Sequence, residues 1–172
     1  MSYRIKTYIA GDWDHDRDAV DKIYQWKDSD KWGLDFHDAH AMKQARDTSL
    51  SCSIKKSLKE RMDASKKFVL IVGEHTLNLT KGACHLCPSY NHYAEYCARL
   101  NTTDNRSFIE YECDKAVEAN MDIAVLYNSV AVDRSKCPLA VRYIGQHIPM
   151  VFKGTDGGYY WDYYAIKDAL EG

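Results

Sequence analysis

The sequence predicts a doubly wound α/β fold, a five-stranded parallel sheet in the flavodoxin-like order 2-1-3-4-5 with helices on both faces. Three observations carry this. Strand-like and helix-like periodicities alternate along the chain. The run Phe68-Val69-Leu70-Ile71-Val72 is continuously apolar, as a strand covered on both faces requires. The 172 residues, 45% hydrophobic and 28% charged, have the size and composition of one globular domain.

The first strand is Ile5 to Ala10, where Ile5, Thr7 and Ile9 alternate with Lys6 and Tyr8 up to Gly11. A helix over Asp16 to Lys27 follows, with Val20, Ile23 and Tyr24 at helical spacing and an acidic start that suits the helix dipole. Leu34 to Phe36 is a brief second strand. Leu50, Ile54, Leu58 and Met62 recur every four residues in a helix from Thr48 to Ala64, capped at Thr48 or Ser49. The Phe68 to Val72 strand closes at Gly73. The next helix, Ser107 to Asn120, puts Ile109, Cys113, Ala116 and Val117 on one face and ends at Asn120. Strands at Ile123 to Tyr127 and Ile148 to Phe152, then a helix at Tyr163 to Leu170, complete the pattern. The whole chain, 1–172, reads as a single domain interrupted by a Cys-rich insertion at about 74–106, a stretch too long for an ordinary connection.

Composition excludes several functions. Lys and Arg total 23 against 25 acidic residues, and a net charge of −2 supplies no basic field for a phosphate backbone, so no nucleic-acid partner is expected. The N-terminus lacks the basic-then-apolar run of a secretory signal and no stretch approaches about 20 apolar residues, so the reading is cytoplasmic, without a membrane partner. In a reducing compartment the six cysteines favour metal or core roles over disulfides, and the sequons at Asn78, Asn101 and Asn105 are fortuitous. The tyrosine-rich stretch Tyr159-Tyr160-Trp161 with Tyr163-Tyr164 reads as packing for the last helix or a subunit contact.

Two constellations carry chemistry. In doubly wound sheets ligands collect beyond the carboxyl ends of the strands, which here brings forward Asp12, Trp13, His37, Asp38 and His75. On the helix from Ser107, Phe108 and Glu112 are four apart and share a stripe beside the buried face. A half-sheltered carboxylate there can stabilise a developing positive charge, and an aromatic ring one turn earlier can stack on a flat ligand. An ordinary glutamate on an amphipathic helix is the plain alternative. Within the insertion, Cys84-x2-Cys87-x4-His92-x4-Cys97 has the spacing of a CCHC zinc knuckle, in which structural zinc would supply folding energy that a loop poor in large apolar residues lacks. His85 or His75 could replace His92, and a loop with free thiols is the plain alternative. Cys113 reads as a core residue.

The block Arg106-Ser107-Phe108-Ile109-Glu110-Tyr111-Glu112-Cys113, running through Asn120 into Met121-Asp122-Ile123-Ala124-Val125-Leu126-Tyr127, resembles the signature of TIR domains, an aromatic four residues before a glutamate on a helix that leads into a strand. With Val72-Gly73 followed by His75-Thr76, and with Phe36-His37-Asp38, the chain is similar to the prokaryotic TIR-like family that includes the Thoeris anti-phage sensor proteins. Its first loop, Gly11-Asp12-Trp13-Asp14-His15, departs from the Ser-Tyr pattern of animal and plant TIR domains. The resemblance implies the flavodoxin-like TIR fold and an NAD glycohydrolase or ADP-ribosyl cyclase activity. It makes Glu112 the catalytic residue and sets Phe108 near the leaving nicotinamide, while Asp12, Trp13, His37, Asp38 and His75, brought forward by the strand ends, would line the rest of the pocket. It also implies a homo-oligomer and a cyclic ADP-ribose-type signal sensed by a separate effector. A non-catalytic TIR-like adaptor and a nucleoside deoxyribosyltransferase-like enzyme are the alternatives.

Overall fold

A computed structural model describes residues 4–39, 50–97 and 103–172. The cap residues expected at Thr48 and Ser49, and the sequon at Asn101, lie outside these. The strands β1 (Lys6–Ala10), β2 (Ser65–Val72), β5 (Asp122–Tyr127) and β6 (Gln146–Pro149) form a parallel four-stranded sheet in the order β1-β2-β5-β6. Two short antiparallel hairpins stand apart from it: β3 (Tyr90–Asn91) with β4 (Tyr96–Cys97), and β7 (Val151–Lys153) with β8 (Tyr159–Trp161). Among the described residues four α-helices complete the set: α1 (Arg17–Lys27), α2 (Ser51–Asp63), α3 (Phe108–Glu118) and α4 (Tyr163–Glu171).

The strand count is one lower than expected. The segment predicted as the second strand touches β1 only at a parallel bridge between Thr7 and Asp38, with the Thr7 N–H donating to the His37 carbonyl at 2.7 Å. Its position still matches the predicted order, since it lies on the free edge of β1. The physical reason for its brevity is that Leu34 and Phe36 are drawn into the core beneath α1, which leaves too few residues to extend a ladder. The run Ile148 to Phe152 likewise divides. The Met150 N–H donates to the Tyr127 carbonyl and ends β6, and Val151 begins the β7–β8 hairpin.

Alternation along the strands builds two cores. Tyr8, Phe68, Leu70, Val125 and Tyr127 face α2 and α3, meeting Leu58, Met62, Ile109 and Cys113. Ile9, Val69, Ile71, Ala124 and Leu126 face α1 and α4, meeting Val20, Ile23, Trp26 and Ile166. A sheet wrapped on both sides explains the unbroken apolar run of β2. Tyr163 on α4 donates to the Trp32 carbonyl and packs edge-on against Trp26 at 5.1 Å, while Tyr159 and Tyr160 stay exposed on β8. Among the described residues no helix is long and apolar enough to cross a membrane.

Candidate active site

Helix α3 is fixed at both ends by sequence. At its start the Ser107 side chain accepts from the Glu110 N–H at 3.2 Å while the Glu110 carboxylate accepts from the Ser107 N–H at 2.7 Å, a complete capping box. At its end Asn120 adopts a left-handed φ of 49°, and the Met121 and Asn120 N–H groups return to the Ala116 and Val117 carbonyls, a Schellman closure. The approach to α3 is clamped by Lys55, buried on α2, whose ammonium donates to the Asp104 and Arg106 carbonyls and pairs with the Asp104 carboxylate at 3.3 Å. Burial alone would raise the Asp104 carboxyl, but hydrogen bonds from Arg106 and the Lys55 charge bring it down to about 2.

This clamped helix delivers Glu112 into a cavity of about 430 Å³ lined by the end of β1 and the loop after it, by α2 and by α3, within the usual range of small-molecule sites, about 300–1,000 Å³. Glu112 is only 6% exposed, and its carboxylate accepts a hydrogen bond from the Tyr8 hydroxyl on β1. Burial raises its pKa to about 7, against the lowering pull of the Tyr8 hydrogen bond and the Arg61 charge. The Tyr8 phenol is pushed well above its ordinary value, first by burial and then by the Glu112 charge. Phe108, one turn before Glu112, is half-buried and lines the same cavity. Gly82 makes room for it. With φ at +107°, Gly82 lies so close that a Cβ there would meet the Phe108 ring at 2.6 Å, while the Phe108 N–H donates to the Lys81 carbonyl at 2.9 Å.

Of the residues expected from the strand ends, Asp12 and Trp13 join this cavity. The Asp12 carboxylate, however, is occupied by its own loop: it accepts from the Asp14 N–H at 3.1 Å and meets His15 Nδ1 at 2.5 Å. It shapes the rim. Trp13 is exposed, its ring 6.0 Å from that of Tyr24. His37 and Asp38 are not brought to Glu112. They line a separate, shallower pocket with Tyr24, Lys27 and Phe36, because the bridge at Thr7 places them on the outer edge of β1. His75 is also elsewhere, exposed and packed on His15 at 4.3 Å, because the short helix Thr76–Asn78 starts directly after it and turns the chain aside.

The predicted zinc quartet is not assembled as a coordination shell. Cys84 and Cys87 sit on a tight 3₁₀ turn and Cys97 on β4, all three buried with free thiols. His92 faces solvent at the hairpin tip, its ring edge-on to Tyr90 at 4.9 Å, and His85, a substitute ligand, bonds Asn105 at 3.1 Å. Among the described residues no group of three or more His, Cys, Asp or Glu side chains is placed to hold a metal ion. Cys113 is fully buried and its thiol is raised by burial, the state of an inert core cysteine.

Sequence reasoning missed Tyr8 and Arg61. Tyr8 read as the polar partner in an alternating strand, yet it is fully buried, its ring stacks on Phe68 at 6.0 Å and its hydroxyl donates to Glu112 in the cavity wall. Arg61, on the last turn of α2, is 5% exposed and lies over the Tyr8 ring at 5.7 Å. Arg61 precedes Met62 on a stripe otherwise carried by Leu58 and Ile54, and a charged residue beside a core position was the one available signal.

No curated protein matches the chain. Residues 1–81 match the family model described as Thoeris protein ThsB, TIR-like domain. That span holds β1, α1, α2 and β2, hence Tyr8, Asp12, Trp13 and Arg61 from one side of the cavity, and stops before α3. The match covers residues 1–81 of 172, and the parallel sheet flanked by helices agrees with a TIR-like, flavodoxin-like fold.

Proposed function

We propose that this chain is an NAD-processing TIR-like enzyme of anti-phage defence, with Glu112 as the catalytic carboxylate. The observation that carries the reading is the burial of Glu112 in a ligand-sized cavity, beside Phe108 and held by the Tyr8 hydroxyl. The nicotinamide of NAD leaves without needing a strong acid, because the ring is already cationic. The bond from the ribose C1′ to the ring nitrogen breaks, its electron pair stays with that nitrogen, and neutral nicotinamide departs. The barrier lies in the oxocarbenium-like ribose left behind. A carboxylate excluded from water stabilises that charge far better than one in solvent. The Tyr8 hydroxyl aims the carboxylate and favours its ionised form against the pull of burial. Phe108 stacks beside the departing ring, and Trp13 closes the open side.

Capture of the cation by water, with loss of one proton, yields ADP-ribose; capture by a hydroxyl or ring nitrogen of the same molecule yields a cyclic product. We favour the cyclic product as a signal to a separate effector, made by a homo-oligomer. Incubation of the purified protein with NAD, with and without phage-infected lysate, followed by mass spectrometry, tests the proposal. Nicotinamide and a product one water lighter than ADP-ribose are expected. NAD left intact under both conditions would return the chain to an adaptor role, and a deoxyribosyl adduct on Glu112 after incubation with a deoxynucleoside, with release of the free base, would make it a deoxyribosyltransferase-like enzyme.

A further inference from the structure

From the geometry we infer that Arg61 is the anion-recognising residue of this cavity and takes the diphosphate of the bound nucleotide. Arg61 lines the cavity at the last turn of α2, and its side chain is more than nine-tenths buried. Its Nε and Nη1 nitrogens are shielded from solvent and have no hydrogen-bond partner among the described residues. Leaving guanidinium donors both desolvated and unmatched is among the costlier arrangements a fold can hold, of order 1–3 kcal/mol per group and more when charged. Such donors are retained where a ligand supplies the acceptors.

The surroundings specify the ligand. The Tyr8 ring beneath the guanidinium gives its cation a face to rest on but no acceptor oxygen. Glu112 acts on Arg61 only through space, since its carboxylate is engaged by the Tyr8 hydroxyl. Asp12, the other buried carboxylate of the cavity, is committed to His15 and the Asp14 N–H. No described residue supplies those acceptors, and a bound anion in the cavity would. A guanidinium is the side chain best shaped to bind phosphate oxygens by parallel hydrogen bonds. Lys81, on the same lining, offers a second cation. One cavity wall thus holds a carboxylate suited to a sugar that becomes cationic, and another holds a cation suited to phosphate. A dinucleotide joined by a diphosphate needs both, at the two ends of its ribose. The inference deepens the proposed NAD reading and rests on it for the identity of the nucleotide.

The test is binding of ADP-ribose, which carries the diphosphate but no scissile nicotinamide, set against adenosine, which lacks it. Wild type is expected to bind ADP-ribose, to lose it to competing inorganic pyrophosphate, and to bind adenosine at least tenfold more weakly. Arg61→Gln should weaken ADP-ribose binding at least tenfold and leave adenosine binding unchanged. Arg61→Lys, which keeps charge but loses the fork, should weaken it severalfold. Should Arg61→Gln fail to fold, the wild-type comparison decides: a melting temperature raised by ADP-ribose and pyrophosphate, but not by adenosine, supports the inference. Adenosine binding as tightly as ADP-ribose, or Arg61→Gln holding ADP-ribose as tightly as wild type, overturns it. Wild type that releases nicotinamide while its ADP-ribose binding ignores Arg61 would sink this inference alone. Arg61-dependent binding of ADP-ribose without nicotinamide release would uphold it and sink the proposed activity.

Discussion

Glu112 concentrates the tension between stability and chemistry in one side chain. Its carboxyl titrates near 7 when folded, above the ordinary 4.5, so folding favours the protonated form. The stability this contributes is fully present below about pH 4.5 and is lost as pH rises through about 7. The difference is on the order of 3 kcal/mol. Glu112→Gln, which keeps the shape and an oxygen for the Tyr8 hydroxyl, is therefore expected to be more stable than wild type at pH 8, with the gain fading toward pH 4.5. Urea melts at the two pH values measure it. Under the proposed mechanism catalysis would run the opposite way, with the ionised carboxylate as the active form, and nicotinamide release should climb as pH rises through about 7. Tyr8→Phe removes a hydrogen bond to a charged acceptor, worth about 1.5–3 kcal/mol, and should move that climb upward by about 1 pH unit or more. An unmoved pH profile would remove Tyr8 from the account. None of these partners could be named from residue spacing. The hydroxyl of Tyr8 and the carboxylate of Glu112 meet across 104 positions of sequence.

Helix α3 was legible almost to the residue, because Ser107, Glu110 and Asn120 are local signals that act through neighbouring backbone. The brief strand at Leu34 to Phe36 was not, since pairing depends on how many residues remain free to reach a neighbour, and Leu34 and Phe36 are spent in the core. The Cys/His spacing of the insertion meets a similar limit. Spacing fixes distance along the chain and leaves side-chain direction open, and His92 is exposed between β3 and β4 while Cys84, Cys87 and Cys97 are buried. The insertion nonetheless serves the site, because Gly82 sits against the Phe108 ring. Gly82→Ala would strain a positive φ and press a methyl group into that ring. A stability loss of about 1–3 kcal/mol is expected, together with a raised KM for NAD. An unchanged KM would show that the position of Phe108 is indifferent to substrate.

At the scale of the molecule, alternating periodicities, an apolar central run and ordinary composition were sufficient for the wrapped parallel sheet, because the two-sided burial of β2 admits few other architectures. The same topology accounts for the cavity: β1 and β2 end side by side, α2 and α3 lie over one face, and the site opens at the end of β1 and the loop after it. It also explains why His37, Asp38 and His75 fall away from Glu112. Being near a strand end places a residue on the rim, and the edge of the sheet on which that rim lies decides which pocket it serves. The most direct measurement is the rate of nicotinamide release from NAD at saturating substrate, compared between wild type and Glu112→Gln at pH 8, where both are folded. A fall of at least about a hundredfold is predicted, the scale of removing a preorganised electrostatic partner from a transition state. Equal rates would contradict the assignment of Glu112.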